Sequence, residues 1–408
     1  MSKLLVAQSG GPTAAINATL AGVLDAATNN PQIDGILGGI NGIEGVLKEN
    51  FLDLTELSNN REKIRILWQT PAAALGSCRW KLKSEDEDAE SYKVFVSIMK
   101  KYDIGYFVYI GGNDSMDTVD KLSAYCRKNG VENLCIIGAP KTIDNDLVGT
   151  DHCPGFGSAA KYIATTIAEI ERDCHVYTTK AVTVVEIMGR NAGWLTAASA
   201  LSRIHGAKGP DMIYLCERPF VLEECISKIR RLFEKQDAVL IAISEGVKDD
   251  SGHYISEVLQ PADADAFGHV QIAGVATVLA DQIKKELGCK TRAIAFNLMQ
   301  RASASLASKR DLLESYQLGS MAAKAAIAGQ SGKMTALRRL QTKDYAVEYE
   351  LVDVSMVSNR EKKVPLRMIA PSGDDVTQEM MDYLLPLIQG LPDISYADGL
   401  PLHLSLYE

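Results

Sequence analysis

Apolar residues along this chain come in short runs, each closed by a glycine- or serine-bearing turn and followed by a stretch with helical spacing. Residues 4–8 end in Ser9-Gly10-Gly11-Pro12 and lead into the Ala-rich stretch 14–27. The pair Ile36 and Leu37 is followed by Gly38-Gly39-Ile40-Asn41-Gly42. Residues 105–110 run into Gly111-Gly112-Asn113-Asp114-Ser115 and a helical pattern over 116–128. Residues 134–138 then lead to Pro140-Lys141-Thr142-Ile143-Asp144-Asn145-Asp146. Short apolar runs bounded by turn residues read as buried strands, and helical periods between them predict an α/β fold with a doubly wound, mainly parallel sheet.

A second series follows Gly155-Phe156-Gly157. A helix is expected over 158–172 and strands over 182–187, 211–215 and 239–243. The first of these strands ends in Met188-Gly189-Arg190-Asn191-Ala192-Gly193 and the last in Ser244-Glu245-Gly246. Residues 247–268 read as a polar surface excursion, 272–287 as an amphipathic helix, and 291–297 as a strand ending at Leu298-Met299-Gln300-Arg301. An Ala-rich helical region is expected over 302–328, then short β segments at 335–340 and 346–352 and a helix over 378–388 as a C-terminal extension. This order predicts two Rossmann-like domains with a cleft between them: 1–155 completed by about 300–345, and 156–299 completed by about 346–408.

The chain has 408 residues, enough for more than one core. A hydrophobic content of 46% and a charged content of 23% are those of a soluble globular protein, and no apolar run is long enough to span a bilayer. The start, Met-Ser-Lys and a brief apolar run, is too short for a signal peptide, so a cytoplasmic location is expected. Eight cysteines lie scattered with no C-x-x-C spacing, which points to reduced structural thiols. A net charge of −9 argues against nucleic acid or an anionic membrane as main partner. An anionic ligand must therefore be held by local Lys, Arg and backbone N–H groups.

The stretch from Pro140 to Asp146 places one ammonium and two carboxylates just beyond a strand end. Ligands of open parallel sheets collect in that crevice, and this set suits a phosphate, its metal and a substrate hydroxyl. A surface Asx turn would use the same residue types. The glycine turns after two earlier strands favour the ligand reading, since such turns let backbone N–H groups approach a phosphate at a helix N-terminus. Arg79, in the irregular segment 70–81, is a further candidate phosphate contact.

Five motifs in order, Ser9-Gly10-Gly11 with Asn17-Ala18, Gly111-Gly112-x-x-Ser115, Thr142-Ile143-Asp144-Asn145-Asp146, Met188-Gly189-Arg190 and Gln300-Arg301, resemble the phosphofructokinase family over residues 1 to about 330. The resemblance implies that Asp144 is the base for the sugar 1-hydroxyl. It also implies that Thr142, Met188, Gly189, Arg190, Glu245, Arg292 and Arg301 hold fructose 6-phosphate. Gly11, Arg79, Ser115 and Ile143 fall at further substrate-binding positions, and Asn113 and Asp146 at positions for Mg2+. ATP-using members similar to this chain have Gly at the positions of Asp114 and Lys141, and often at that of Thr118. A carboxylate at Asp114 would repel an α-phosphate and Lys141 would neutralise a shorter donor, so the pair resembles the diphosphate-using branch.

The implied reaction is reversible transfer from diphosphate to fructose 6-phosphate in glycolysis or gluconeogenesis. The domains then become a donor domain and a sugar-phosphate domain, in a homodimer or homotetramer where Arg292 reaches a neighbouring subunit's site. An ATP-dependent enzyme of the family and a non-catalytic sugar-phosphate sensor are the alternatives. Asn113 departs from the family's usual Asp, Leu298 from its His or Tyr, and Ala181 from an Arg supplied across subunits. Lys180 is the nearest charge to replace that Arg.

Overall fold

The structure is a computed structural model, described for residues 1–28, 30–259 and 274–407. Its backbone contacts divide into two compact units. The first comprises residues 1–159, 301–362 and 388–408, and the second residues 160–300 and 363–387. The C-terminal extension is therefore divided: residues 346–362 and 388–408 group with the first unit and only 363–387 with the second.

In chain order the first unit contributes β1 (Ser2–Gln8), β2 (Ile33–Gly39), β3 (Phe51–Asp53), β4 (Ile104–Gly111) and β5 (Cys135–Pro140). The second contributes β6 (Ala181–Ile187), β7 (Met212–Tyr214), β8 (Ala238–Ser244) and β9 (Lys290–Ala295), after which β10 (Lys333–Arg339) and β11 (Val347–Asp353) return to the first. Both units have the expected α/β architecture.

The first sheet runs β11-β10-β5-β4-β1-β2-β3 and is parallel except where β3 and β11 pair at its edges. Strand order reverses between β1, whose successor β2 lies on one side, and β4, whose successor β5 lies on the other. Such a reversal opens a crevice beyond the strand ends, where two crossovers leave in opposite directions. Leu4, Leu5, Val6, Phe107, Val108 and Ile110 are fully buried, which explains why these strands read as continuous apolar runs rather than alternating ones. Against the sheet, the helices Ile16–Ala27 and Lys309–Ile327 approach each other through glycines. A Cβ on Gly22 would come within 2.0 Å of the Tyr316 carbonyl oxygen, and one on Gly319 within 2.0 Å of that of Thr19.

The second sheet runs β7-β8-β6-β9, with every pair parallel. The Ile272 start expected for the amphipathic helix lies outside the described residues, as does the part of the polar excursion beyond 259. The described helix is Val275–Leu287.

Several elements differ from the sequence reading for local reasons. The acidic run 85–88 precedes the helix Ala89–Lys101, which the Asp88 carboxylate caps by accepting from Ser91 N at 3.2 Å. The helical region expected over 302–328 is Met299–Ala302 followed by Lys309–Ile327. Ser308 caps the latter, its hydroxyl accepting from Asp311 N. Residues 335–340 and 346–352 form the hairpin of β10 and β11, which extends the first sheet by laying β10 parallel to β5.

Candidate active site

The reversal between β1 and β4 holds a cleft of about 870 Å3, contained within the first unit. Its lining includes Ser9, Gly10 and Gly11 after β1, Gly112–Ser115 after β4, Lys141, Thr142, Asp144 and Asp146 after β5, Arg79–Lys81, and Arg301. All but the last two groups sit at carboxyl ends of adjacent strands, which is why contiguous sequence motifs converge here.

Glycine is needed at the β1 turn. Gly10 has φ of +77°, and a Cβ there would meet Lys141 Nζ at 3.1 Å, while one on Gly11 would meet an Arg301 guanidinium nitrogen at 3.3 Å. The bare backbone lets both cations close on the turn. Lys141 Nζ donates to the Gly11 carbonyl at 2.7 Å. The side chain is buried, and this desolvation outweighs the nearby Asp144 and Asp146 carboxylates, holding its pKa down to about 8. Across β4, Gly112 begins the helix Asn113–Lys128, and Ser115 N and Met116 N close its first turn on the Gly112 carbonyl. The start of this helix, with its outward N–H groups, belongs to the cleft wall and favours anions there.

The Thr142–Asp146 loop is held tightly. Asp144 N donates to Thr142 Oγ1 at 3.1 Å, and the threonine hydroxyl lies 3.5 Å from Asp144 Oδ2. Asn145 is fully buried at φ of 54°, its Oδ1 accepting from Cys153 N at 3.0 Å. Ile143 is buried beneath the loop and does not line the cleft. Burial, then the neighbouring Asp144 and Glu361 charges, push the Asp146 carboxyl up to about 6.

Asp114 stands at the mouth with its side chain 74% exposed, paired to Lys81 Nζ at 3.1 Å. Thr118 is buried one turn on, its hydroxyl donating to the Asp114 carbonyl at 3.0 Å. Asn113 donates its amide Nδ2 to the Arg360 carbonyl at 2.7 Å, and its Oδ1 is buried without a hydrogen bond. Sequence reasoning missed Lys81, Asn359 and Glu361 in this lining, and Lys362 beneath the Thr142–Asp146 loop. The only signal for Lys81 was its place after Arg79-Trp80, and the others carried none.

In the second unit, the residues after β6 and β8 come together. Gly189 N donates to Glu245 Oε1 at 3.3 Å, Ser244 Oγ to the Gly189 carbonyl at 2.7 Å, and Met188 N to Gln300 Oε1 at 3.3 Å. A Cβ on Gly246 would come within 1.9 Å of the Arg190 carbonyl oxygen, so only glycine admits this crossing. Burial raises the Glu245 pKa, while the bond from Gly189 N opposes it. Arg190 is exposed beside this cluster.

Arg292 does not join it. It lies within β9, in register with Thr183 near the other end of β6. Met188 is five residues further along that strand direction, about 17 Å away. Lys180 Nζ lies 5.3 Å from the Phe233 ring centre, and Leu298 is exposed.

Fold and cleft define an α/β protein with a crevice at its strand ends where Lys, Arg and Asp side chains meet a glycine turn and a helix start. The family model described as Phosphofructokinase matches residues 3–326. A protein of Xanthomonas campestris pv. campestris called pyrophosphate--fructose 6-phosphate 1-phosphotransferase is 39% identical over 406 residues, covering 99% of this chain and 96% of its own length. A protein of Alkalicoccus urumqiensis called sulfofructose kinase is 33% identical over 358 residues, covering 88% of this chain and 89% of its own. The crystal structure of a pyrophosphate-dependent phosphofructokinase from Nitrosospira multiformis superposes with a TM-score of 0.89 at 36% identity, over 99% of this chain and 96% of that one. This chain belongs to the phosphofructokinase family.

Proposed function

We propose that the protein transfers a phosphoryl group from diphosphate to the 1-hydroxyl of fructose 6-phosphate, giving fructose 1,6-bisphosphate and phosphate. The observation that carries this reading is the buried Lys141 ammonium held against the Gly11 carbonyl, with the Asp114 carboxylate at the mouth of the same cleft. The names borne by its 37–39% identical relatives support the same donor.

Asp144 takes the proton from the sugar hydroxyl as that oxygen attacks phosphorus, with the Thr142 hydroxyl orienting its carboxylate. The bond to the bridging oxygen breaks and phosphate leaves. Lys141, Arg301 and the backbone N–H groups of the Asn113 helix offset the charge spread over the transferring group. One phosphoanhydride is exchanged for one ester, so the reaction runs in both directions. Arg190, Gly189, Met188 and Glu245 form the sugar-phosphate group of the second unit. The first unit is accordingly the donor domain.

Mg2+ fits this chemistry. It is held by one or two carboxylates plus substrate phosphates, and among the described residues no three His, Cys, Asp or Glu side chains form a metal cage of their own. Asp146 is the carboxylate that would hold it, desolvated in the cleft, with the neutral Asn113 Oδ1 as a weaker candidate. When bound, the ion neutralises phosphate oxygens of the donor. The separation of Arg292 from the Met188–Arg190 group supports its acting on a neighbouring copy's sugar phosphate in a homo-oligomer. No described helix is long and apolar enough to cross a membrane.

A coupled assay with fructose 6-phosphate and Mg2+ tests the donor: kcat/KM for diphosphate should far exceed that for ATP, and equal or better use of ATP would refute the assignment. The pH profile gives an independent test. Lys141 must be charged to meet an anionic donor, so kcat/KM for diphosphate should fall as pH rises past about 8. Asp146 must be ionised to hold a cation, so it should also fall as pH drops below about 6. Because kcat/KM reports the free enzyme, both limbs belong in that quantity, whereas in the kcat profile a bound cation lowers the Asp146 pKa and a bound anionic donor raises that of Lys141, broadening it. A kcat/KM independent of pH across this range would contradict these roles.

A further inference from the structure

The far C-terminal segment 358–362 forms a wall of the donor cleft, to which Asn359 and Glu361 contribute directly. It is anchored at both ends. Upstream, Val354 and Val357 are buried in the same core cluster as Leu147. Downstream, Lys362 N donates to the Asp146 carbonyl at 2.7 Å, Glu361 bridges Leu147, and Lys362 Nζ donates to the Asp151 carbonyl at 2.8 Å. Between these anchors the segment crosses one face of the Asn113–Lys128 helix. Asn113 Nδ2 donates to the Arg360 carbonyl at 2.7 Å, Asn359 Nδ2 to Asp117 Oδ1 at 2.8 Å, and Ser358 Oγ to Asp120 Oδ2 at 3.1 Å. Positions 113, 117 and 120 follow helical spacing, so the segment lies along a continuous stripe of that helix.

We propose that residues 358–362 are a donor-length strap, which Asn113 ties along the cleft wall so that a donor longer than diphosphate runs into its side chains beside Asp114. A donor with its reacting phosphate beside Asp144 and its next phosphate at the helix N-terminus has Asp114, Lys81 and Asn359 in the path of any third group. Lys81 joins two of these, reaching Asp114 at 3.1 Å and Asn359 Oδ1 at 3.5 Å. The strap also accounts for the amide at position 113. A carboxylate there would face the Arg360 carbonyl, acceptor against acceptor, whereas the amide donates to it.

The inference rests on the diphosphate reading, and a donor series separates the two. Wild type, Asn113→Ala and Asn359→Gly are compared with diphosphate and with linear inorganic triphosphate, each with Mg2+ and fructose 6-phosphate. Asn359 is exposed with φ of 57°, a conformation glycine adopts freely, so this variant loses only its side-chain ties. The readout is the ratio of kcat/KM for triphosphate to that for diphosphate within one preparation, which cancels any unfolded fraction. Both variants should raise it by about tenfold or more over wild type, the equivalent of about 1.4 kcal/mol. If Asn113 served as a metal ligand alone, its loss would depress both donors together. A ratio within about twofold of wild type in either variant overturns the strap, while failure of wild type to use diphosphate overturns the underlying reading instead.

Discussion

Asp144→Asn should lower kcat by roughly 10²–10⁴ while KM for fructose 6-phosphate and diphosphate changes far less. The substitution keeps the shape of the side chain and removes its basicity. The loop should survive it, because its conformation depends on other bonds. Asp144 N still donates to Thr142 Oγ1, and Asn145 still accepts from Cys153 N and from Lys362 Nζ at 3.4 Å. A loss confined to kcat is the pattern of an interaction felt in the transition state and not in the ground state. Steady-state kinetics in both directions check it, since the same carboxylic acid must return the proton in reverse. Near-normal kcat would reduce the Thr142–Asp146 loop to a structural turn.

Lys141→Met should lower kcat/KM for diphosphate by roughly 10²–10³, taking as its scale the loss in kcat when one preorganised oxyanion-hole donor is removed. Methionine matches the length of the aliphatic stem, so the Gly10-Gly11 turn keeps a side chain to close upon. The fold has little reason to suffer, because burial already disfavours the ammonium, as its lowered pKa shows. The loss should fall on the donor and not on KM for fructose 6-phosphate, and the alkaline limb of the kcat/KM profile should disappear with the titrating group. Thermal melting of the variant next to wild type separates a chemical loss from an unfolded one. Retention of diphosphate use within a few-fold, in a variant that melts normally, would remove Lys141 from the donor site and take away the observation on which the donor assignment rests.

The sequence by itself determined the α/β order of both units and the strand-end motifs of the cleft. Each motif directly follows an apolar run: Gly10 and Gly11 after β1, Gly112–Ser115 after β4, Lys141 and Asp144 beyond β5. A strand buried on both faces announces itself by composition, and in a parallel sheet its carboxyl end is where ligands gather, so local pattern was enough. The tertiary structure decided what depends on segments distant in the chain. It placed Lys81 against Asp114, and it set the Arg360 carbonyl against the Asn113 amide across 247 residues of sequence. It buried Asp146 near Glu361 and so raised its pKa, and it left Arg292 at the far end of its sheet from the residues it was grouped with. None of these carries a periodic or compositional signal, because a hydrogen bond or a desolvation penalty is set by what packs beside a group, and segment 358–362 reaches the cleft through the packing of Val354 and Val357 in the core and the bonds of Lys362 to the 146–151 loop.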